Sequence, residues 1–211
     1  MNNKDAVAEK LLQINAIKLS VNNPFTWASG WKSPIYCDNR KVLSFPSTRD
    51  FIKSEMCDVV FKSYGNIDLI AGVATAGIPW GAIVADQLKL PFIYVRPKPK
   101  EHGLGNQVEG FYEEGQSVIL IEDLISTGKS SLQAADVLKN AGLHVKGLVS
   151  IFNYGFDLAK EAFANAGIDF KSLTDYESLI SKAIENNIVS ANDQNTLLNW
   201  RKDPANWNVN S

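Results

Sequence analysis

The densest chemistry in the chain is the run Val118-Ile-Leu-Ile-Glu-Asp-Leu-Ile-Ser-Thr-Gly-Lys-Ser130. An apolar stretch of buried-strand character leads into two adjacent carboxylates, Glu122 and Asp123. It passes through Leu124 and Ile125 into a Ser126-Thr127-Gly128-Lys129-Ser130 turn that opens a helix. Hydroxyls and exposed N–H groups at a helix start, aided by the helix dipole, make an anion pocket. The carboxylates can accept hydrogen bonds from vicinal hydroxyls. A sugar phosphate needs both tools, phosphate at one end and a diol at the other. Taken singly, the carboxylates could end a strand on a solvated edge and Ser126 could cap the helix; the whole run is far more specific. Two look-alikes fail. A P-loop ending in Gly128-Lys-Ser130 needs glycine at position 123, where Asp123 would point at phosphate oxygens. Gly103-Leu-Gly105 suggests a dinucleotide fingerprint, but position 108 is Val and no strand–helix context surrounds it.

Two more segments add to this centre. In Gly72-Val-Ala-Thr75-Ala76-Gly77-Ile-Pro79 the small residues let backbone N–H groups approach a diphosphate closely. The stretch from Arg96 to Gly110 is too long for an ordinary connection and carries Arg96, Lys100 and His102 beside Gly103 and Gly105. Donors on such a segment suit a lid that neutralises a leaving anion and excludes water. The plainer reading of this loop is a solvated charged surface. His144, the other histidine, has no motif around it and reads as structural.

These groups need a frame. Short apolar runs at 68–73, 92–95, 118–121 and 145–151 alternate with helical stretches at Pro46–Tyr64, Trp80–Leu88 and Ser130–Asn140. Ser44 is a candidate N-cap, and Gly142 a helix stop. The alternation predicts an α/β fold whose parallel sheet is covered on both faces, with ligands at the carboxyl ends of the strands. Val7, Leu11, Ile14 and Ile17 predict a helix near 5–18, and Asn22–Arg40 reads as a hood or hairpin-like element. From Phe170, helical spacing (Tyr176, Leu179, Ile180, Ile184, then Leu197, Leu198) predicts two short helices.

A chain of 211 residues holds one substantial domain. Its net charge of -2 supplies no basic field, which argues against nucleic acid as a partner and requires any phosphate ligand to be caught locally. Cys37 and Cys57 suggest neither a disulfide framework nor a zinc site. The first twenty residues lack the apolar core of a signal peptide, and no run is long enough to span a bilayer. A cytoplasmic enzyme is expected.

The run 118–130 resembles the phosphoribosyl pyrophosphate-binding motif of the type I phosphoribosyltransferases. Three other segments resemble the orotate phosphoribosyltransferases in particular: Ser29-Gly-Trp-Lys-Ser-Pro-Ile-Tyr-Cys-Asp-Asn-Arg40 their hood, 72–79 their pyrophosphate loop, and 96–110 their catalytic loop, with RxxxKxHG spacing at Arg96, Lys100, His102 and Gly103. The resemblance implies a single phosphoribosyltransferase domain over 1–211, with a parallel-sheet core at about 46–170. It adds a hood from about 1–45 that is joined by the C-terminal helices. It implies a Mg²⁺-dependent transfer of ribose 5-phosphate to orotate, the ion held mainly through the substrate, in a homodimer whose lid comes from the neighbouring subunit. Phosphoribosyl pyrophosphate would be bound by Thr75, Ala76, Gly77, Arg96, Lys100, His102 and the run Glu122–Ser130, with Lys100, His102 and Asp123 catalytic. The chain departs from the enterobacterial pattern at Pro97 (followed by Lys98), at Ala76 and at Asn153, where lysine, lysine and arginine stand. With Asn153 in that place, Arg40 is the expected partner of the orotate carboxylate, alongside Tyr36, Cys37 and Ser126. Two alternatives stay open: a phosphoribosyltransferase for another base, and a non-catalytic sensor on the same fold.

Overall fold

The computed structural model describes residues 3–27, 30–99 and 106–207. Along the chain run α1 (Asn3–Gln13), β1 (Ile17–Leu19), β2 (Phe25–Thr26), β3 (Lys32–Ser33), β4 (Ile35–Cys37) and α2 (Pro46–Tyr64). There follow β5 (Leu69–Val73), α3 (Gly77–Leu88), β6 (Phe92–Val95), β7 (Val108–Glu109), β8 (Ser117–Ile125) and α4 (Lys129–Asn140). The last elements are β9 (His144–Asn153), α5 (Asp157–Asn165), β10 (Phe170–Asp175), α6 (Tyr176–Glu185) and α7 (Gln194–Lys202). They gather into two compact units: Met1–Arg49 with Tyr154–Phe156 and Thr174–Ser211, and Asp50–Asn153 with Asp157–Leu173.

The second unit is built on a six-stranded sheet of order β10-β9-β8-β5-β6-β7. β6, β5, β8 and β9 are mutually parallel, and β7 closes one edge antiparallel to β6. Alternate residues of a strand face opposite sides, which tells where the helices lie. On β5, Leu69, Ala71 and Val73 join Ala134, Ala135 and Leu138 of α4 and Phe163 of α5 in one core. Gly72 faces the other way, and a Cβ there would meet the backbone of Gly77 and Ile78 in α3. The sheet is thus covered on both faces, as unbroken apolar strands require.

In the first unit α1 packs against α6. β1 pairs antiparallel with β4, and β2 with β3, so the hood segment is a pair of small ribbons.

Several boundaries differ from the sequence pattern. The first helix ends at Gln13 instead of near 18. Asn15 takes a left-handed φ of 53°, and Ile17 belongs to β1. Ile17 is buried from a strand, which is why it continued the helical spacing. Ser44 ends a 3₁₀ turn (Asn39–Ser44) and is not the cap of α2. β8 runs through Glu122 and Asp123 to Ile125, so the carboxylates sit in the strand and do not follow it. The helix α5 and the strand β10 add to the expected elements. Phe170-Lys-Ser-Leu-Thr-Asp175 buries only Leu173 and Thr174, too little to read as a sheet strand.

Candidate active site

In the second unit the parallel register aligns the carboxyl ends of four strands. Val73 pairs with Val95, Gly72 with Ile121, and Ile125 with Asn153. The order across the sheet is therefore Arg96 after β6, Ala74–Gly77 after β5, Glu122–Ser130 at β8, and Asn153 at the end of β9. Thr75, Ala76, Gly77, Arg96 and the 122–130 run are brought to one edge. Lys100 and His102 lie outside the described residues.

At the β8–α4 junction Gly128 caps the helix with φ 78°, and among the described residues no side-chain cap bond closes the helix start. A Cβ on Gly128 would press on the Phe163 ring at 2.6 Å, so glycine is required both by φ and by space. Lys129 and Ser130 are exposed, Ser126 and Thr127 half-buried, and Ile125 is sealed in the core. The first N–H groups of α4 are left for an anion. Leu124 pairs in register with Phe152.

Glu122 is turned inward, 6% exposed. Its Oε1 accepts from the Asp123 N–H at 2.9 Å, and its Oε2 from Ser131 Oγ at 3.4 Å. Burial pushes its carboxyl well above the ordinary glutamate range, and the neighbouring Asp123 charge adds to this; the Asp123 N–H and Ser131 oppose it. Asp123, half-buried, is the more open of the pair.

Opposite the junction, Gly77 starts α3 so tightly against β8 that a Cβ would run into the Ile121 carbonyl oxygen. Small residues here are demanded by packing as well as by any ligand. The Ala74–Thr75 peptide is cis. Ala74 donates its N–H to Val95 O at 3.1 Å, tying this loop to β6.

Arg96 is held at both ends. Its N–H donates to Gln107 O at 2.9 Å, and Gln107 Nε2 donates to its carbonyl at 3.1 Å. Its guanidinium Nη1 reaches Glu109 Oε1 at 3.3 Å. A cavity of about 50 Å³ beside it is lined by Ala74, Arg96, Gln107, Ser130 and Gln133 among others. The sequence pattern did not single out Gln107, Glu109, Ser131 or Gln133. Ser131 lies one residue past the motif, and its helical position facing β8 was the available signal.

In the first unit, Tyr36 is 42% exposed and rests on Phe25, ring centroids 5.6 Å apart. Cys37 Sγ donates to Asn39 Oδ1 at 3.4 Å, and Arg40 Nε pairs with Asp38 Oδ1 at 2.6 Å. Among the described residues neither Cys37 nor Cys57 is in a disulfide. His144 is exposed at the start of β9, away from the strand ends that carry the site. Among the described residues no helix is long and apolar enough to cross a membrane.

A parallel sheet with an uncapped helix start, a carboxylate pair and a glycine-tight loop at its carboxyl edge defines the phosphoribosyltransferase class. Residues 56–172 match the phosphoribosyl transferase domain. Over nearly its whole length the chain is similar to curated relatives. It is 54% identical to the orotate phosphoribosyltransferase of Phocaeicola vulgatus, over 95% of this chain and 94% of that one. It is 50% identical to that of Listeria monocytogenes, over 98% of this chain and 99% of that one. The chain belongs to the orotate phosphoribosyltransferase family, and is an enzyme of the pentosyltransferase type. Among solved structures it is similar to the orotate phosphoribosyltransferase of Aeropyrum pernix (TM-score 0.72, 28% identity, 83% of this chain and 98% of that one). It also matches Leishmania donovani UMP synthase (TM-score 0.77, 27% identity, 93% of this chain), of which it spans 42%.

Proposed function

We propose that the chain transfers ribose 5-phosphate from phosphoribosyl pyrophosphate to N1 of orotate, giving orotidine 5′-phosphate and pyrophosphate in de novo pyrimidine (UMP) biosynthesis. The observation that carries this reading is the β8–α4 junction, where a carboxylate pair meets an uncapped helix start. The relatives' shared name supports orotate as the base.

Ser126–Ser130 hold the 5′-phosphate on the first N–H groups of α4, with Leu124 and Ile125 setting the strand that leads there. Glu122 and Asp123 hold the ribose end, and Thr75, Ala76 and Gly77 the diphosphate. Arg40, Tyr36, Cys37 and Ser126 hold orotate. As the bond from C1′ to the diphosphate oxygen breaks, orotate N1 gives up its proton to the departing diphosphate and its electron pair forms the bond to C1′, while the pyrophosphate leaves with the pair it shared. Positive charge building on the ribose is met by Asp123. Negative charge on the leaving group is met by Arg96, Lys100 and His102. Catalysis is positioning and electrostatics, with no protein nucleophile.

Mg²⁺ would supply charge neutralisation to the diphosphate. Among the described residues no group of three His, Cys, Asp or Glu could hold a metal ion, and Glu122 is turned into the core. The ion would be held through the substrate's own diphosphate and ribose hydroxyls, with Asp123 and Thr75–Gly77 the residues that would hold that substrate.

In this reading Lys100 and His102 cross between the subunits of a cytoplasmic homodimer. Mixing inactive Lys100→Ala and Asp123→Ala proteins should then restore activity, because a mixed dimer contains one intact site; mixtures as inactive as their parts would reject the shared site. The test of the reaction itself is loss of orotate absorbance with phosphoribosyl pyrophosphate, with and without Mg²⁺, and with uracil and hypoxanthine as competing bases. Turnover of orotate alone, abolished without Mg²⁺, is expected. Preference for another base would overturn the substrate and keep the chemistry.

A further inference from the structure

The C-terminal helix carries one side chain placed for more than cover. Trp200 of α7 is fully buried. Its ring meets those of Trp27 at 5.6 Å, Tyr154 at 5.8 Å, Phe156 at 5.7 Å and Tyr176 at 5.5 Å. A buried indole N–H needs an acceptor, and this one donates to the Lys32 carbonyl at 3.0 Å. Three residues further on, the Ile35 carbonyl accepts from Trp27 Nε1 at 3.2 Å and from Ser33 Oγ at 2.8 Å. The Ile35 N–H returns a bond to Ser33 Oγ at 3.2 Å. The carbonyls of Lys32 and Ile35, which flank Ser33-Pro34, are thus each pinned by an indole, and Ser33 closes the turn between them. Tyr36 and Cys37 follow directly.

We propose that Trp200 is a positioning residue for base recognition: from the C-terminal helix it sets the backbone of Lys32–Cys37, the segment that presents Tyr36 and Cys37 to orotate. This rests on the assignment of Tyr36 and Cys37 under the proposed function. Within Lys32–Cys37, β3 pairs with β2 over two residues, and β4, which carries Tyr36 and Cys37, pairs with β1 over only three, short ladders on which to fix a segment. A recognition segment on so short a ribbon needs an external anchor, and the indole of a residue 168 positions away supplies it. A tryptophan that only filled the core would stabilise the fold without distinguishing one substrate from the other.

The variant Trp200→Phe keeps an aromatic ring and deletes the N–H. The KM for orotate should rise about fivefold, the effect of one lost hydrogen bond, while the KM for phosphoribosyl pyrophosphate stays within about twofold. Trp27→Phe, which removes the other indole donor at a half-buried site, should shift the orotate KM in the same direction, and decides the matter if Trp200→Phe does not fold. Equal rises in both constants, or an unchanged orotate KM in a folded variant, would overturn the proposal. The unsubstituted enzyme is assayed first: if it turns over another base, the proposed substrate falls, and the split is then measured with that base, so the two failures stay separate.

Discussion

Ser131 donates its hydroxyl to Glu122 Oε2 at 3.4 Å, so the first turn of α4 grips the end of β8 from the buried side. Glu122 keeps an acidic function in a place where charge is costly. Burial, then the Asp123 charge, raises its folded-state carboxyl well above 4.5. Near and below that value both folded and unfolded chains carry the proton, and the favourable contribution of the protonated acid is fully present. As pH rises through the elevated folded value that stability is lost, because the unfolded chain releases its proton more readily. Glu122→Gln mimics the protonated acid at every pH. Melting temperatures measured between about pH 5 and about pH 8 should therefore show wild type falling progressively below Glu122→Gln as pH rises. A constant gap across that range would mean that Glu122 titrates normally.

Gly77→Ala tests how closely α3 is seated. The added methyl would run into the Ile121 carbonyl, a backbone atom within the sheet that cannot rotate away. A cost of about 1–3 kcal/mol in unfolding free energy is expected from such overpacking, with a larger loss of activity because the loop at 74–77 must shift. Chemical denaturation gives the first quantity and initial rates the second. Full activity in the variant would show that the loop tolerates displacement.

Legibility differed between the two halves of the molecule for a physical reason. β5, β6, β8 and β9 are buried on both faces, so burial alone writes them as apolar runs, and the candidate site residues at their ends follow from the rule for parallel sheets. Helix α2 was legible to the residue, because Pro46 sets its first turn. β10 and the end of α1 were not legible. Ile17 is buried from a strand at a spacing that also suits a helix, and β10 buries only the adjacent Leu173 and Thr174, so in both only the pairing partner decides. The inward turn of Glu122 was hidden too: sequence shows two adjacent carboxylates, and alternation along a strand that outlasts the apolar run sends one of them into the core. The role of Trp200 depends on a contact 168 residues away, which no local pattern records.

Arg96 separates stability from function. Its ion pair with Glu109, at 3.3 Å, joins side chains that are 35% and 23% exposed. Pairs this open to solvent contribute at most about 1 kcal/mol, so Arg96→Ala should melt close to wild type. Loss of a charged donor to the diphosphate is worth more, and the KM for phosphoribosyl pyrophosphate should rise roughly tenfold. Thermal melts and steady-state kinetics on one preparation check both. A large drop in melting temperature with an unchanged KM would make Arg96 a structural residue of the β6–β7 edge and remove it from the site.

Arg40 carries the question raised by Asn153. A planar carboxylate is best held by the two-pronged guanidinium, and Asn153, at the end of β9, offers only an amide. Asp38 engages Arg40 through Nε at 2.6 Å, which fixes the plane of the fork. Arg40→Ala should raise the orotate KM roughly tenfold, in keeping with the loss of a charged hydrogen-bonded partner, and leave the KM for phosphoribosyl pyrophosphate nearly unchanged. Arg40→Lys should recover only part of the loss, because a lysine restores the charge without the fork. Full recovery by lysine would reduce the interaction to charge alone, and equal small effects on both substrates would return the carboxylate to another partner.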